Sequence, residues 1–162
     1  MIKVGDRIPD VEVRVLRDGA QAVVPVSELI GSGRVVLFAV PGAFTPGCSK
    51  QHLPSFINQA AALSEAGVDT IACISVNDAF VMDAWGQVQG VGDKIIMIAD
   101  PAAAFAKGVG TDVDASGAGL GTRTQRYAMV LQDGVVETFL PEEGGFKVEA
   151  STAECVLDAL KK

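Results

Sequence analysis

The chain reads as a single α/β domain in which a central mixed β-sheet is flanked by helices, and three observations carry that reading. Apolar runs of strand length recur along it, at Val35-Val36-Leu37-Phe38-Ala39-Val40, Val68 to Val76 and Ile95 to Ala99. Between them lie segments of helical spacing, such as Leu53, Phe56, Ile57, Ala60 and Leu63. Near the end, Tyr127 to Leu131 and Val135 to Leu140 flank Gln132-Asp133-Gly134, a hairpin signal that makes the sheet mixed rather than wholly parallel.

In chain order, Val11 to Val15 is a strand, Arg17-Asp18-Gly19 a hairpin turn and Ala22 to Val26 a second extended segment. Ser27 is expected to cap a short helix. The strand over residues 34–40 leads through a Pro- and Gly-rich segment into a long helix that opens at Cys48. Pro54 removes a backbone donor early in that helix and predicts a bend between Lys50 and Pro54. Val68 to Val76 is a buried strand ended by Asn77-Asp78, and a helix follows from Asp78 to about Val88. After the strand Ile95 to Ala99, Asp100-Pro101 turns into a brief helix through Ala104 and Phe105. The Gly- and Asp-rich stretch from Gly108 to Gly121 reads as a loop, and Ser151 to Leu160 as a capped terminal helix. The 162 residues show no repeat or change of composition, so one domain over 1–162 is expected.

Hydrophobic residues make up 49% of the chain, yet no apolar run approaches the ~20 residues of a membrane-spanning helix. Met1-Ile2-Lys3-Val4-Gly5-Asp6 lacks the pattern of a secretory leader, and an odd number of cysteines, three, argues against a secreted disulfide framework. A cytoplasmic setting is the expectation. Thirteen basic against twenty acidic residues give a net charge of −7 with no basic cluster, which disfavours nucleic acid as a partner and suits small neutral substrates.

The chemistry points to Cys48. In Pro41-Gly42-Ala43-Phe44-Thr45-Pro46-Gly47-Cys48-Ser49 the cysteine stands in the first turn of a helix, near unpaired backbone N–H groups and the positive end of the helix dipole. That position favours ionisation of a thiol. Thr45 lies three residues earlier, where its hydroxyl can face the sulfur, while Pro41 and Pro46 stiffen the turn. A thiolate that attacks an O–O bond also needs a positioned donor and a cation. Arg123 and Arg126, both just before the strand at Tyr127, are candidates by position.

Pro41, Thr45 and Cys48 match the P-x-x-x-T-x-x-C signature of the peroxiredoxins, and the string from Val40 to Pro54 resembles their type-five, or type II, branch. Further similar segments are Ser75-Val76-Asn77-Asp78-Ala79-Phe80-Val81, Trp85-Gly86, Ala99-Asp100-Pro101 and Arg126 to Gly134, so the resemblance covers nearly the whole chain. It implies a thioredoxin-like fold and a thiol peroxidase that reduces hydrogen peroxide and alkyl hydroperoxides. Cys48 is then the peroxidatic nucleophile, with Thr45, Arg126 and Pro41 as catalytic partners and Phe44 and Gly47 beside the substrate. Arg126 takes the cationic role because the family's arginine directly precedes the aromatic residue of this strand; Arg123 reads as a surface or ion-paired arginine. The resemblance also implies a homodimer with the pocket near its interface.

Type-five enzymes with an internal disulfide carry a resolving cysteine in a loop that corresponds here to Gly145 to Ala150, and this chain has none there. Cys73, in an apolar strand, and Cys155, in the last helix, are minority candidates for the resolving thiol. A one-cysteine cycle completed by glutathione, glutaredoxin, thioredoxin or another external thiol is expected. The lone His52 reads as a structural hydrogen-bonding group rather than the base of a Cys-His pair. No metal-ligand spacing or dinucleotide fingerprint is present, so no cofactor is expected. Cys48-Ser49-Lys50-Gln51 lacks the second cysteine of a C-x-x-C disulfide oxidoreductase. A peroxide-sensing switch without significant turnover is the alternative function.

Overall fold

The computed structural model describes residues 1–143 and 147–161. Along the chain it forms β1 (Glu12–Arg17), β2 (Ala20–Pro25), α1 (Val26–Ile30), β3 (Arg34–Ala39), a π-helical turn (Cys48–His52), α2 (Leu53–Asn58), α3 (Ala60–Glu65) and β4 (Thr70–Ser75). There follow α4 (Ala79–Gln89), β5 (Ile96–Ala99), α5 (Ala104–Val109), β6 (Asp112–Asp114), a 3₁₀ turn (Ser116–Ala118), β7 (Thr122–Thr124), β8 (Tyr127–Gln132), β9 (Val135–Pro141) and α6 (Ala153–Leu160). Seven strands make one sheet in the order β2-β1-β5-β4-β3-β8-β9. Strands β3, β4 and β5 are parallel, whereas β1, β2, β8 and β9 join antiparallel to their neighbours, which gives the expected mixed sheet.

Side chains alternate across a strand, so β3 supplies both faces of the sheet. Val36, Phe38 and Val40 enter a core with Leu53, Phe56, Trp85 and Val156, while Val35, Leu37 and Ala39 enter a second core with Ile30, Phe105 and Val109. Helices α2, α4 and α6 therefore cover one face and α1 and α5 the other. Among the described residues no helix is long and apolar enough to cross a membrane.

Four local expectations are corrected. Ser27 is not a cap: α1 starts from Pro25 without a side-chain cap, and the carboxylate of Asp10 instead accepts the Ser27 N–H at 3.1 Å. The long helix after Cys48 is divided, because Gln59 (φ −103°, ψ 10°) leaves helical geometry between α2 and α3. Gly108 to Gly121 is not wholly a loop, since β6 pairs with β7 from Asp112↔Thr124 to Asp114↔Thr122. Strands of three residues leave too short a pattern to read, and their turn is closed by the Ala115 N–H on the Gly121 carbonyl at 2.7 Å. The terminal helix is capped by Thr152, whose hydroxyl accepts the Cys155 N–H, rather than from Ser151.

Candidate active site

The sheet register brings the site together. Ala39 of β3 pairs with Tyr127 of β8, so Arg126 stands beside the point where the chain leaves the sheet for the cysteine turn. Tyr127 points into the core of the α1 and α5 face, and by alternation Arg126 points to the opposite face, where Cys48 is buried. The guanidinium Nη2 donates to Cys48 Sγ at 3.2 Å across 78 residues of sequence. Thr45 Oγ1 reaches the same sulfur at 2.9 Å.

Thr45 Oγ1 also lies 2.7 Å from the Gly42 carbonyl. A hydroxyl has one proton, so it donates either to Gly42 or to the sulfur. A thiol can in turn donate to Oγ1, whereas a thiolate must accept. The hydroxyl thus suits both states of Cys48 with no movement of heavy atoms.

The turn itself is tied down from several sides. The Ala43 N–H donates to Asn77 Oδ1 at 3.0 Å, and Ser75 Oγ lies 2.8 Å from both the Val40 carbonyl and Asn77 Oδ1. Phe44 takes a positive φ of 66°, a strained backbone for a bulky residue. A Cβ on Gly42 would lie 3.1 Å from Arg123 Nη1 and 3.2 Å from Thr45 Cγ2, so the close approach favours glycine. Helical structure begins at Pro46, and Gly47 has ordinary helical angles (φ −64°, ψ −39°) one residue before the cysteine. Pro54 has no N–H to offer the Lys50 carbonyl, and the preceding turn is widened so that the Leu53 N–H donates to the Cys48 carbonyl. The expected bend is therefore a π-helical turn. Trp85 Nε1 holds it from α4 by donating to Ser49 Oγ at 3.0 Å.

Arg123 is half-buried and, among the described residues, forms no ion pair, which corrects the reading from sequence. Its Nη1 donates to the Val76 carbonyl at 3.0 Å and the Pro41 carbonyl at 3.4 Å, and its Nε to the Leu120 carbonyl at 2.9 Å. It clamps three loop backbones around the site. Pro41 is buried and lines, with Val113, Ala115, Ala118 and Arg126, a cavity of about 460 Å³. Phe44 lies outside that lining, with 52% of its surface exposed.

His52 does not touch the sulfur through a hydrogen bond. Its Nδ1 lies 2.8 Å from Arg126 Nη1 and its Nε2 2.8 Å from the Ser151 carbonyl. A guanidinium only donates, so Nδ1 accepts and Nε2 carries the proton that Ser151 receives. Burial against Phe38 and Phe56, and then the Arg126 charge, hold the imidazole pKa down to about 3, so the ring is neutral. The structural role expected for His52 is present, but its arginine contact was not foreseen; the only signal was its place one turn after Cys48. Arg126 is 1% exposed, and among the described residues it forms no ion pair with a carboxylate.

All three cysteines are free. Cys73 is buried in β4, and burial, with the neighbouring charge of Cys48, pushes its thiol well up. Cys155 is half-buried, and its thiol lies 3.2 Å from the Glu149 carbonyl. Of the loop expected to hold a resolving cysteine, Gly145 and Phe146 lie outside the described residues.

A family profile described as Redoxin matches residues 3–157. Among curated relatives, the rice (Oryza sativa subsp. japonica) Peroxiredoxin-2E-2, chloroplastic, is 46% identical over 98% of this chain and 72% of its own length. Among solved structures, reduced Prx3 from Vibrio vulnificus in complex with H2O2 superposes with a TM-score of 0.92 at 46% identity, covering 99% of each chain. Peroxiredoxin 5 from Alvinella pompejana superposes with a TM-score of 0.87 at 35% identity, also over 99% of each chain.

Proposed function

The chain belongs to the redoxin family, as a peroxiredoxin of thioredoxin-like fold with thiol-dependent peroxidase activity, and from this premise we propose that Cys48 is its peroxidatic nucleophile in a one-cysteine cycle. One observation carries the assignment: a buried sulfur with a hydroxyl at 2.9 Å and a guanidinium at 3.2 Å. The Cys48 thiolate attacks the terminal oxygen of a hydroperoxide. An S–O bond forms as the O–O bond breaks, and the leaving oxygen departs as water or an alcohol with the proton released when the thiol ionised. Arg126 and Thr45 donate hydrogen bonds that meet the negative charge moving from sulfur to the leaving oxygen. The product is the Cys48 sulfenic acid. An external thiol then condenses with it, releasing water and leaving a mixed disulfide, and a second thiol restores Cys48 as the external disulfide leaves.

The finer reading assigns the chain to the type-five branch and gives it both hydrogen peroxide and alkyl hydroperoxides. Binding of H2O2 by the Vibrio relative supports the first substrate. The cavity beside Pro41 and Arg126, with Val113, Ala115 and Ala118 on its wall, supplies apolar room for the second. Free cysteines, with Cys73 buried and none between Gly145 and Ala150, favour glutathione, glutaredoxin or thioredoxin as reductant and fit a cytoplasmic setting. Phe44 and Phe80, exposed on segments joined by the Ala43 to Asn77 hydrogen bond, offer an apolar rim for a second copy in a homodimer.

Intact mass after peroxide treatment tests this reading. With wild-type protein one added oxygen is expected, converted to a single glutathione adduct when glutathione is present; Cys48→Ser should show neither and no peroxidase turnover. An internal disulfide would overturn the one-cysteine cycle, and turnover by the Cys48 variant would overturn the nucleophile. Oxidation without catalytic turnover under excess reductant would favour the sensor.

A further inference from the structure

Arg126 is buried, and its aim at Cys48 depends on what holds its other nitrogens. Nη1 rests on His52 Nδ1, Nε has no partner among the described residues, and the Arg126 carbonyl accepts the Glu142 N–H at 3.1 Å. His52 in turn is fixed by the Ser151 carbonyl and by the rings of Phe38 and Phe56. Ser151 itself belongs to neither β9 nor α6, so no helix or strand ladder fixes its carbonyl. The segment leading to it is gathered by one carboxylate. Glu142 accepts the backbone N–H groups of Glu149 at 2.9 Å, Ala150 at 3.0 Å and Ser151 at 2.9 Å, and also the Ser151 hydroxyl.

We infer that Glu142 is a positioning residue of this site, holding Arg126 against Cys48 through the Ser151 carbonyl and His52. The inference rests on the peroxidase reading for its kinetic consequence but not for its geometry. A carboxylate with four donors folds the segment so that one carbonyl faces His52; that carbonyl selects the Nε2–H tautomer; only that tautomer presents a lone pair to Nη1. The protonated Nδ1 of the other tautomer would face a guanidinium N–H and turn Arg126 away. Burial acts to raise the Glu142 pKa, but the bonds from Ser151, Ala150 and Glu149 outweigh it and hold the carboxyl below its ordinary range, consistent with a charge that works as an anchor. No sequence motif marks Glu142, since three of its four donors are backbone groups seven to nine residues downstream.

The protein contains one histidine, so imidazole ¹⁵N NMR of the resting protein reads this relay without any turnover. The wild type should show the neutral Nε2–H tautomer, unchanged from pH 8 to pH 5. Glu142→Gln should mix the tautomers or bring the ring back to titration in that range, and should slow Cys48 oxidation by peroxide about 10- to 100-fold, the usual effect of removing an orienting partner. A second pair of variants separates positioning from folding. His52→Asn sets Oδ1 where Nδ1 stood and keeps an acceptor for Arg126, whereas His52→Gln reaches Ser151 and withdraws that acceptor. The Asn variant should oxidise at least about 10-fold faster than the Gln variant. A wild-type ring that titrates near neutrality, a Glu142→Gln protein with wild-type signal and rate, or equal rates for the two His52 variants would each overturn the relay. Absence of peroxidase activity in the wild type, with the tautomer as expected, would instead strike the functional reading alone.

Discussion

Replacing His52 by Asn should remove a steep acid dependence of stability, and the size follows from the burial of the ring. His52 is fully buried with its pKa lowered from 6.5 to about 3, first by desolvation and then by Arg126. Between those values the unfolded chain binds a proton that the folded chain refuses, so stability falls as pH falls through that window. One proton corresponds to about 1.4 kcal/mol per pH unit, which amounts to about 3 kcal/mol at pH 4.5 and about 5 kcal/mol if the whole window is crossed. A domain has roughly 5 to 15 kcal/mol in total, so the effect decides whether the protein survives mild acid. Urea unfolding of wild type and His52→Asn at pH 7.5, 5.5 and 4.5 isolates the term, because every other titrating group is common to both. The variant should be less stable at pH 7.5, where it lacks the packed ring, and the gap should close or reverse by pH 4.5. Unfolding free energies that stay parallel across the range would refute a neutral buried His52.

Arg126→Ala should lower the rate of Cys48 oxidation on the order of 100- to 1,000-fold, as seen when one positioned donor is removed. Arg123→Ala should lose far less rate but about 2 to 3 kcal/mol of stability, since three backbone carbonyls lose a donor; equal kinetic losses in stopped-flow oxidation would show the arginines misassigned. Thr45→Ser keeps the hydroxyl and should retain most of the rate, whereas Thr45→Val should fall towards the Arg126 variant; similar rates for the two would leave the hydroxyl without a role. Cys155→Ser and Cys73→Ser should both turn over with glutaredoxin as reductant, although Cys73→Ser places a hydroxyl in an apolar strand and should melt earlier; loss of turnover in either, with binding of peroxide intact, would make that cysteine the resolving thiol.

The strands were legible because runs such as Val35 to Val40 are long, apolar and bounded by turn residues, and each reappears within one or two residues of its expected limits. Cys48 and Thr45 were legible for a similar reason: their contact is local, three residues along one turn. Arg126 needed the family resemblance, since only the pairing of Ala39 with Tyr127 places it there and no local pattern fixes that register. What escaped was set by long-range backbone contacts. Arg123 looks like any arginine until Val76, Pro41 and Leu120 turn their carbonyls to it. Ser27 lost its expected role to Asp10, seventeen residues away, and β6 and β7 are too short to show a period.

The buried sulfur raises a further point about turnover. Cys48 has no solvent exposure and does not itself line the cavity beside Arg126, so on the proposed function a hydroperoxide or a thiol reaches the sulfur only when the turn around it rearranges. The chemistry itself favours that rearrangement. As a thiolate, Cys48 balances the buried Arg126, which has no carboxylate partner among the described residues. Conversion to a neutral sulfenic acid removes the anion and leaves the guanidinium with only a neutral His52, and loss of one partner of a buried pair typically costs about 3 to 5 kcal/mol. The turn that must give way already carries Phe44 at positive φ and a widened helical ladder before Pro54. On the proposed cycle, the group that stabilises the closed, reduced site is therefore the group that oxidation removes, and opening becomes easier at the step when an external thiol would reach the sulfur.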